Sequence, residues 1–281
     1  MGFLKGYTKQ EISWMMYDWA NSAHSVIVVT LLPIFFDSVA GYTADSVSSM
    51  STWGYATSIA MAIVALAAPF LGVFGDIRGM RKRLFALFMG VGVVAVALLS
   101  FTPLMDFTSS TAAAGRVAGL ILVLYIVSVI GFDASAIYYD AFLTDITTED
   151  RMDRVSTMGY GLGYIGGSTI PLVIFLVMNL VGIPMLTCLA VIFAVTAVWW
   201  LGFSLPLLKN CRQTSGKPYE KGDVGRSIRG VGATIREIIA NKPMLVYILA
   251  YFFYIDGVHT VISMATTYGT NLGLDSTGML L

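Results

Sequence analysis

Histidine is the side chain whose charge changes near neutral pH, and this 281-residue sequence holds two, at matching positions of an internal repeat. Trp19-Ala-Asn21-Ser-Ala-His24-Ser-Val-Ile27 aligns without gaps to Tyr254-Ile-Asp256-Gly-Val-His259-Thr-Val-Ile262, at a constant offset of 235 positions. Asn21 corresponds to Asp256, and His24 to His259. A three-residue spacing puts each pair on one helix face. Asp256 beside His259 offers an anion next to a titratable ring, suited to carrying a proton or holding an amine. Asn21 and His24 would add neutral hydrogen bonds. Both stretches are strongly apolar, where polar groups are costly and mark a functional site by default. The plain alternative is hydrogen bonding between helices that only fixes packing. Pseudo-twofold repetition would bring the four residues together at one cavity.

Other candidates lie nearby in the pattern. Asp133, about ten residues above an inner loop, is expected to line the inner half of that cavity. Tyr17, with Trp19, Tyr160 and Tyr164, offers aromatic surface to a substrate, although interface anchoring and packing explain membrane aromatics more often. Asp18 sits near the inner end of its segment, where partial solvation would make it affordable. Asp140 shares a face with Asp133 and is expected to pair with Arg81 or Lys82, as an inner gate or as a latch without substrate contact. Arg116, near an outer end, can snorkel.

The elements that carry these residues must be membrane helices. The chain is 57% hydrophobic and 12% charged, against about 25% charged in a soluble domain, and its mean hydropathy is +0.77. A span needs roughly 20 mostly apolar residues. Seven such runs occur, near 12–36, 52–74, 84–104, 116–142, 155–178, 185–208 and 244–268; the fifth and sixth come from an uncharged stretch split at Asn179–Pro184. None has the short alternating pattern of barrel strands. If the seven alternate, 16 of the 17 Lys and Arg fall on one side. That side is cytoplasmic, so the N-terminus is inside and the end of the seventh span outside, as expected for an inner plasma membrane. Asp37, Asp45, Asp106 and Asp275 mark outer loops. Zero net charge argues against nucleic acid. Cys188 and Cys211 form no metal or disulfide pattern.

Three regions follow: a six-helix unit at 1–208, a cytoplasmic loop at 209–243, and a seventh span with the start of a further set at 244–281. The first half of the loop reads as a Gly/Ser/Lys-rich linker. Within 225–240, Ile228, Val231, Ile235, Ile238 and Ile239 form a helical stripe flanked by Arg226, Arg229 and Arg236, fitting a basic helix on the inner membrane surface.

Gly72-Val-Phe-Gly-Asp76-Ile-Arg-Gly79-Met-Arg81-Lys82-Arg-Leu84, between the second and third spans, resembles the loop signature of the major facilitator superfamily. The glycines allow a tight turn and close helix approach. Asp76 can hold a cation or helix N-terminus in one conformation and lose it in another. A short positive-inside loop would need the basic residues alone. The resemblance then narrows to the branch containing the fungal vacuole effluxers linked to autophagy and their bacterial relatives. It rests on Tyr17-Asp-Trp-Ala-Asn-Ser22, Pro33-Ile-Phe-Phe36, Asp140-Ala-Phe-Leu-Thr-Asp145, Arg154-Val-Ser156, Gly163-Tyr-Ile-Gly-Gly167 and Ala250-Tyr-Phe-Phe-Tyr-Ile-Asp-Gly-Val258. It implies an all-α major facilitator fold of twelve helices in two bundles, with alternating access to a central cavity and export of a small solute such as neutral amino acids. On that comparison the chain holds the first bundle and the first helix of the second. Gly278-Met-Leu-Leu281 would open an eighth helix, and the remaining helices of the second bundle are missing partners. A truncated frame is then expected, and an inactive fragment is one alternative.

Gly159, Gly163 and Gly167 recur every four residues ahead of Pro171, a stripe that lets another helix approach closely. The segment is similar to the antiporter motif of the superfamily, with Tyr164 where that motif usually has Pro, and plain helix packing is the favoured reading. Gly161-x-Gly163-x-x-Gly166 fits a dinucleotide fingerprint but lacks the preceding strand. No metal-ligand spacing, nucleophile elbow or ATP-binding loop occurs, so no cofactor and no metal are expected, and a gradient, with protons as the candidate coupling ion, would supply energy. A membrane enzyme would need a polar catalytic cluster. A seven-helix sensor or receptor would need its N-terminus outside.

Overall fold

The computed structural model describes residues 4–43, 46–218 and 223–274, and over these the chain is helical apart from turns, short loops and one isolated bridge between Ile77 and Lys217. The helices are α1 (Lys9–Ala40), α2 (Ser46–Gly75), α3 (Met80–Leu99), α4 (Thr111–Ile146), α5 (Glu149–Leu162), α6 (Thr169–Leu180), α7 (Met185–Asn210), α8 (Asp223–Ala240) and α9 (Lys242–Asn271). A π-helical segment, Gly163–Ser168, joins α5 to α6, so that Glu149–Leu180 makes one span. Among the described residues, seven helices are long and apolar enough to cross a membrane. The turn before Met185 divides the uncharged stretch, as expected from Gly182 and Pro184. The expected end-of-chain helix at Gly278–Leu281, the outer Asp45 and Asp275, and Lys221 lie outside the described residues, as do the side chains of Arg226, Ile228 and Arg229.

The helices overrun the apolar runs. α4 has 36 residues, about 54 Å of helix at 1.5 Å per residue, against a hydrocarbon core of about 30 Å. Its ends therefore stand in water, and charged residues gather there at little cost. Local signals fix the starts. Thr8 and Glu11 form a reciprocal capping box on α1, with Thr8 N donating to Glu11 Oε2 (2.7 Å) and Glu11 N to Thr8 Oγ1 (3.2 Å). Ser110 caps α4 through Ala113 N. Gly79 enters α3 at φ +80°, a conformation that favours glycine.

α1 is the central stave, packed against α4, α5, α7 and α9. α3 and α4 lie closest together, with Gly131 against the backbone of Gly92 and the Trp200 ring over Gly92. Small residues at crossings are how membrane helices gain contact, because lipid gives no hydrophobic drive to associate. The core is aromatic: Trp53 stacks on Tyr125 at 4.3 Å, and Tyr17 meets Phe85 edge-on at 4.8 Å. α2 and α9 leave Leu66, Tyr247 and Phe253 exposed, a surface suited to acyl chains rather than water. The segment after α7 departs from the linker expectation: residues 211–218 run as a fixed strap across the basic ends of α2, α3 and α4.

Candidate functional site

A cavity of about 920 Å³ opens between α2, α4 and α9. α4 contributes Asp133; α9 contributes Asp256, His259 and Thr260; α2 contributes Ser51, Thr57 and Ser58. Tyr55, Phe252 and Met264 supply apolar wall. Asp133 Oδ2 is buried there without a hydrogen-bond partner. Two carboxylates and one imidazole on opposed helices, in a space large enough for a small solute, can hold an amine at the carboxylates and accept or donate a hydrogen bond at the ring.

Asn21 and His24 do not join this group. His24 is 3% exposed, stacked on Phe132 at 4.7 Å and tilted against Trp200 at 4.9 Å, with both ring nitrogens unbonded. It points into the bundle between α4 and α7, away from α9. Two aromatic rings offer the imidazole a better-packed slot than a wet cavity, and the repeat specifies equivalent positions rather than equal rotation of the two helices. Asn21 lies beside the Tyr17 hydroxyl. Tyr17 is likewise a correction: it is fully buried, with its hydroxyl 2.7 Å from Ser135 Oγ, and offers no surface to a solute. Asp18, expected to be partly solvated, is 8% exposed, and its Oδ2 accepts a hydrogen bond from Tyr139 at 2.8 Å. α4 and α5 cover it.

At the basic end of the bundle, Arg81 is the hub. Its Nη1 donates to Asp145 Oδ2, to the Ala141 carbonyl (2.9 Å) and to Ser215 Oγ (3.2 Å), and Asp76 stands 3.7 Å from its Nη2. Its guanidinium lies over the Phe142 ring. The partner on α4 is thus Asp145, not Asp140, which is exposed and turned away. Asp145 has a fully buried side chain and also accepts from Thr214 N (3.0 Å), Thr214 Oγ1 (2.9 Å) and Ser215 N (2.8 Å). Gln213 completes the strap: its Oε1 accepts from Gly79 N at 2.8 Å, and its Nε2 donates to the Gly75 carbonyl at 3.0 Å. Lys217 pairs with Asp76 and Arg78 through backbone bonds. Asp76 itself is 82% exposed at the side chain, and Gly72 faces open space. Lys82 makes no ion pair among the described residues. Asp145, Gln213, Thr214 and Ser215 were absent from the expected site. Asp145 closes a motif already singled out, whereas the polar run after α7 carries no signal distinguishing strap from linker.

A second latch at the same end joins α1 to the start of α5. Arg151 donates to both carboxylate oxygens of Glu11 (2.9 and 2.8 Å), and Thr147 donates to Glu11 Oε1 (2.6 Å). Arg154 lies over the Tyr7 ring at 5.0 Å. At the start of the strap, the buried Cys211 thiol is pushed up to about 12 by desolvation, with Lys82 pulling the other way. In the loop before α4, hydrogen bonds from Ser109 and Thr108 hold Asp106 below its usual range.

The glycine stripe meets α1. A β-carbon at Gly163 would press on Ser22, and one at Gly167 would fall 2.5 Å from the Trp19 carbonyl oxygen. The Trp19 ring lies flat against Gly166. That same carbonyl accepts from Trp199 Nε1 at 2.9 Å.

Among the described residues, no three His, Cys, Asp or Glu side chains group closely enough to hold a metal ion. A family model described as "Vacuole effluxer Atg22 like" matches residues 7–153 and 144–279. The sequence is 39% identical over 286 residues to the "Uncharacterized MFS-type transporter YxiO" of Bacillus subtilis (strain 168), covering 99% of this chain and 64% of that protein. It is 26% identical over 125 residues to autophagy-related protein 22-1 of Penicillium rubens (41% of this chain, 21% of that protein). Autophagy-related protein 22-2 of Aspergillus clavatus is 27% identical over 126 residues, covering 41% and 20%. The chain spans 64% of the length of the bacterial relative. No solved structure matches it. The family description and the bacterial protein's name are those of transporters rather than enzymes.

Proposed function

The chain belongs to the Atg22-like vacuole effluxer family, and from that premise we propose that it is a gradient-driven secondary transporter whose cavity binds a small solute carrying an amine. The observation that carries this reading is the convergence of Asp133, Asp256 and His259 on one cavity of about 920 Å³. A neutral amino acid would place its amine at the carboxylates and its carboxylate at an N–H of the His259 ring, while Phe252 and Tyr55 take an apolar side chain. Export follows the family's description as effluxers. In this reading the first six spans are one bundle, the helix at α9 opens a second, and the inner cap of Asp76, Arg81 and Asp145 closes the cytoplasmic side. The N-terminus is cytoplasmic and the membrane is the plasma membrane, supported by the one-sided distribution of Lys and Arg.

Counterflow of labelled neutral amino acids in proteoliposomes tests it. Asp256→Asn and Asp133→Asn are expected to lower transport at least tenfold while the protein stays folded. Undiminished transport by both variants would remove the cavity from the mechanism. An imposed pH gradient that leaves accumulation unchanged in the parent protein would remove protons as the coupling ion.

A further inference from the structure

We propose that Asp18 is a proton-binding site, separate from the solute cavity and built where α1, α4 and α5 meet. Asp18 does not line the cavity. Its Oδ2 accepts the Tyr139 hydroxyl at 2.8 Å. Tyr139 is itself fixed: Trp14 stacks on its ring at 4.3 Å and donates Nε1 to its carbonyl at 2.9 Å.

The neighbours of Asp18 supply no counter-charge. From α1 they are Trp14 and Tyr17; from α4, Tyr139 and a second carboxylate, Asp140; from α5, Gly159 and Tyr160, the latter in turn near Tyr251 of α9. Of the cations at this end, Arg81 pairs with Asp145, Arg151 with Glu11, Arg154 lies over Tyr7, and Lys82 stands beside Cys211 and Arg212; the charged group that acts on Asp18 is Asp140. A buried carboxylate without a cation, near another acid, sheds its charge by taking a proton. One neutral phenol hydrogen bond does not offset that desolvation. Asp18 therefore holds a proton while the three helices are packed together.

The packing also suggests when the proton leaves. A β-carbon at Gly159 would collide with Asp18 Oδ2, so the α5 backbone lies directly on the carboxyl group. Parting of α1 from α5 admits water, and the acid gives its proton to solvent; closure takes one back. No other bond changes. The protonation stands on this geometry alone. Its use as the coupling step rests on the transporter reading above.

Infrared pH-difference spectra of the reconstituted protein test the proposal, because a protonated carboxyl has a C=O stretch that a carboxylate lacks. A protonated-carboxyl band is expected at neutral pH. Asp18→Asn should remove the Asp18 component of this band, Asp140→Asn, Asp133→Asn and Asp256→Asn should leave that component in place, and Tyr139→Phe, where the hydrogen bond is lost, should shift it. A band unchanged in shape and size by Asp18→Asn, or no band at neutral pH, overturns the proposal. If Asp18→Asn fails to fold, Tyr139→Phe decides: a shifted band supports the site and an unshifted band overturns it. A band that behaves as expected, together with transport indifferent to pH gradients, keeps the proton site and sinks only its coupling role. Proton-driven transport with a band not owed to Asp18 does the reverse.

Discussion

His24 lies between Phe132 and Trp200 with neither nitrogen bonded. Leaving a buried polar group unpaired is destabilising, while replacing it by an apolar group of similar shape is close to neutral or better. His24→Phe is therefore expected to hold or raise stability by about 1 kcal/mol, read as the midpoint of thermal unfolding in detergent. A clear drop would mean that His24 has a polar partner in the folded protein. Asp145 is the contrasting case, a buried anion that satisfies both Arg81 and the strap. Asp145→Ala leaves the buried guanidinium with only the exposed Asp76, 3.7 Å away, and should cost about 3 kcal/mol. Cys211 reports the same event. Its thiol stays protonated through neutral pH because its value lies near 12, and any stability this carries is present below the ordinary thiol value of about 8.5 and is lost as pH rises toward 12. Maleimide labelling of Cys211 should be slow in the parent and rise in Asp145→Ala; equal rates would show that the strap holds without Asp145. The loop signature and Arg81 were legible in the sequence, but its partner was not. Asp140 and Asp145 are five residues apart, roughly 140° around a helix, and only the rotational setting of α4 decides which one meets Arg81.

Among the elements, the existence of seven spans was the most legible feature, since apolar length marks them, and the split before Pro184 was visible as well; their ends were less so, because the helices run on past the apolar stretches. The π-helical stretch Gly163–Ser168 was not, although its glycines were. It arises where α1 is pressed against α5–α6: Trp19 and Ser22 occupy the space a side chain would take at Gly163, Gly166 and Gly167. A π-bulge absorbs such local crowding by letting one turn widen, and such bulges are frequent at functional sites. Gly167→Ala should thus destabilise by about 1–3 kcal/mol through overpacking. Gly161→Ala, two positions before the segment and facing open space, should gain up to about 1 kcal/mol from helix propensity. Thermal unfolding of the pair separates contact from propensity. Equal effects would show that α1 does not press on this stretch.

At the scale of the whole molecule, the ends differ chemically. Arg81, Arg151, Glu11, Asp145 and the strap gather at one end; Asp37 bonded to Ser49 (2.7 Å) and the Asp106 turn lie at the other. The repeat in the sequence marked α1 and α9 as equivalent, and α9 does bring Asp256 and His259 to a cavity. Asp133, from a helix outside the repeat, was expected at the same cavity from its depth in the fourth span. That Asn21 and His24 stay out of the cavity depends on how α1 is turned against α4 and α7, which no linear pattern encodes. Charge does encode orientation. Moving cationic loops across the bilayer costs about 2.5–3.5 kcal/mol per residue even on insertion scales, so the basic end is expected to stay on the cytoplasmic side. Single cysteines in a background lacking Cys188 and Cys211 test this. Asp106→Cys should react with a membrane-impermeant maleimide in intact cells. Asp76→Cys, equally open to solvent but at the basic end, should react only after the membrane is opened. The reverse pattern would place the N-terminus outside, turn the inner cap into an outer one, and leave export through a cytoplasmic gate without a structural basis.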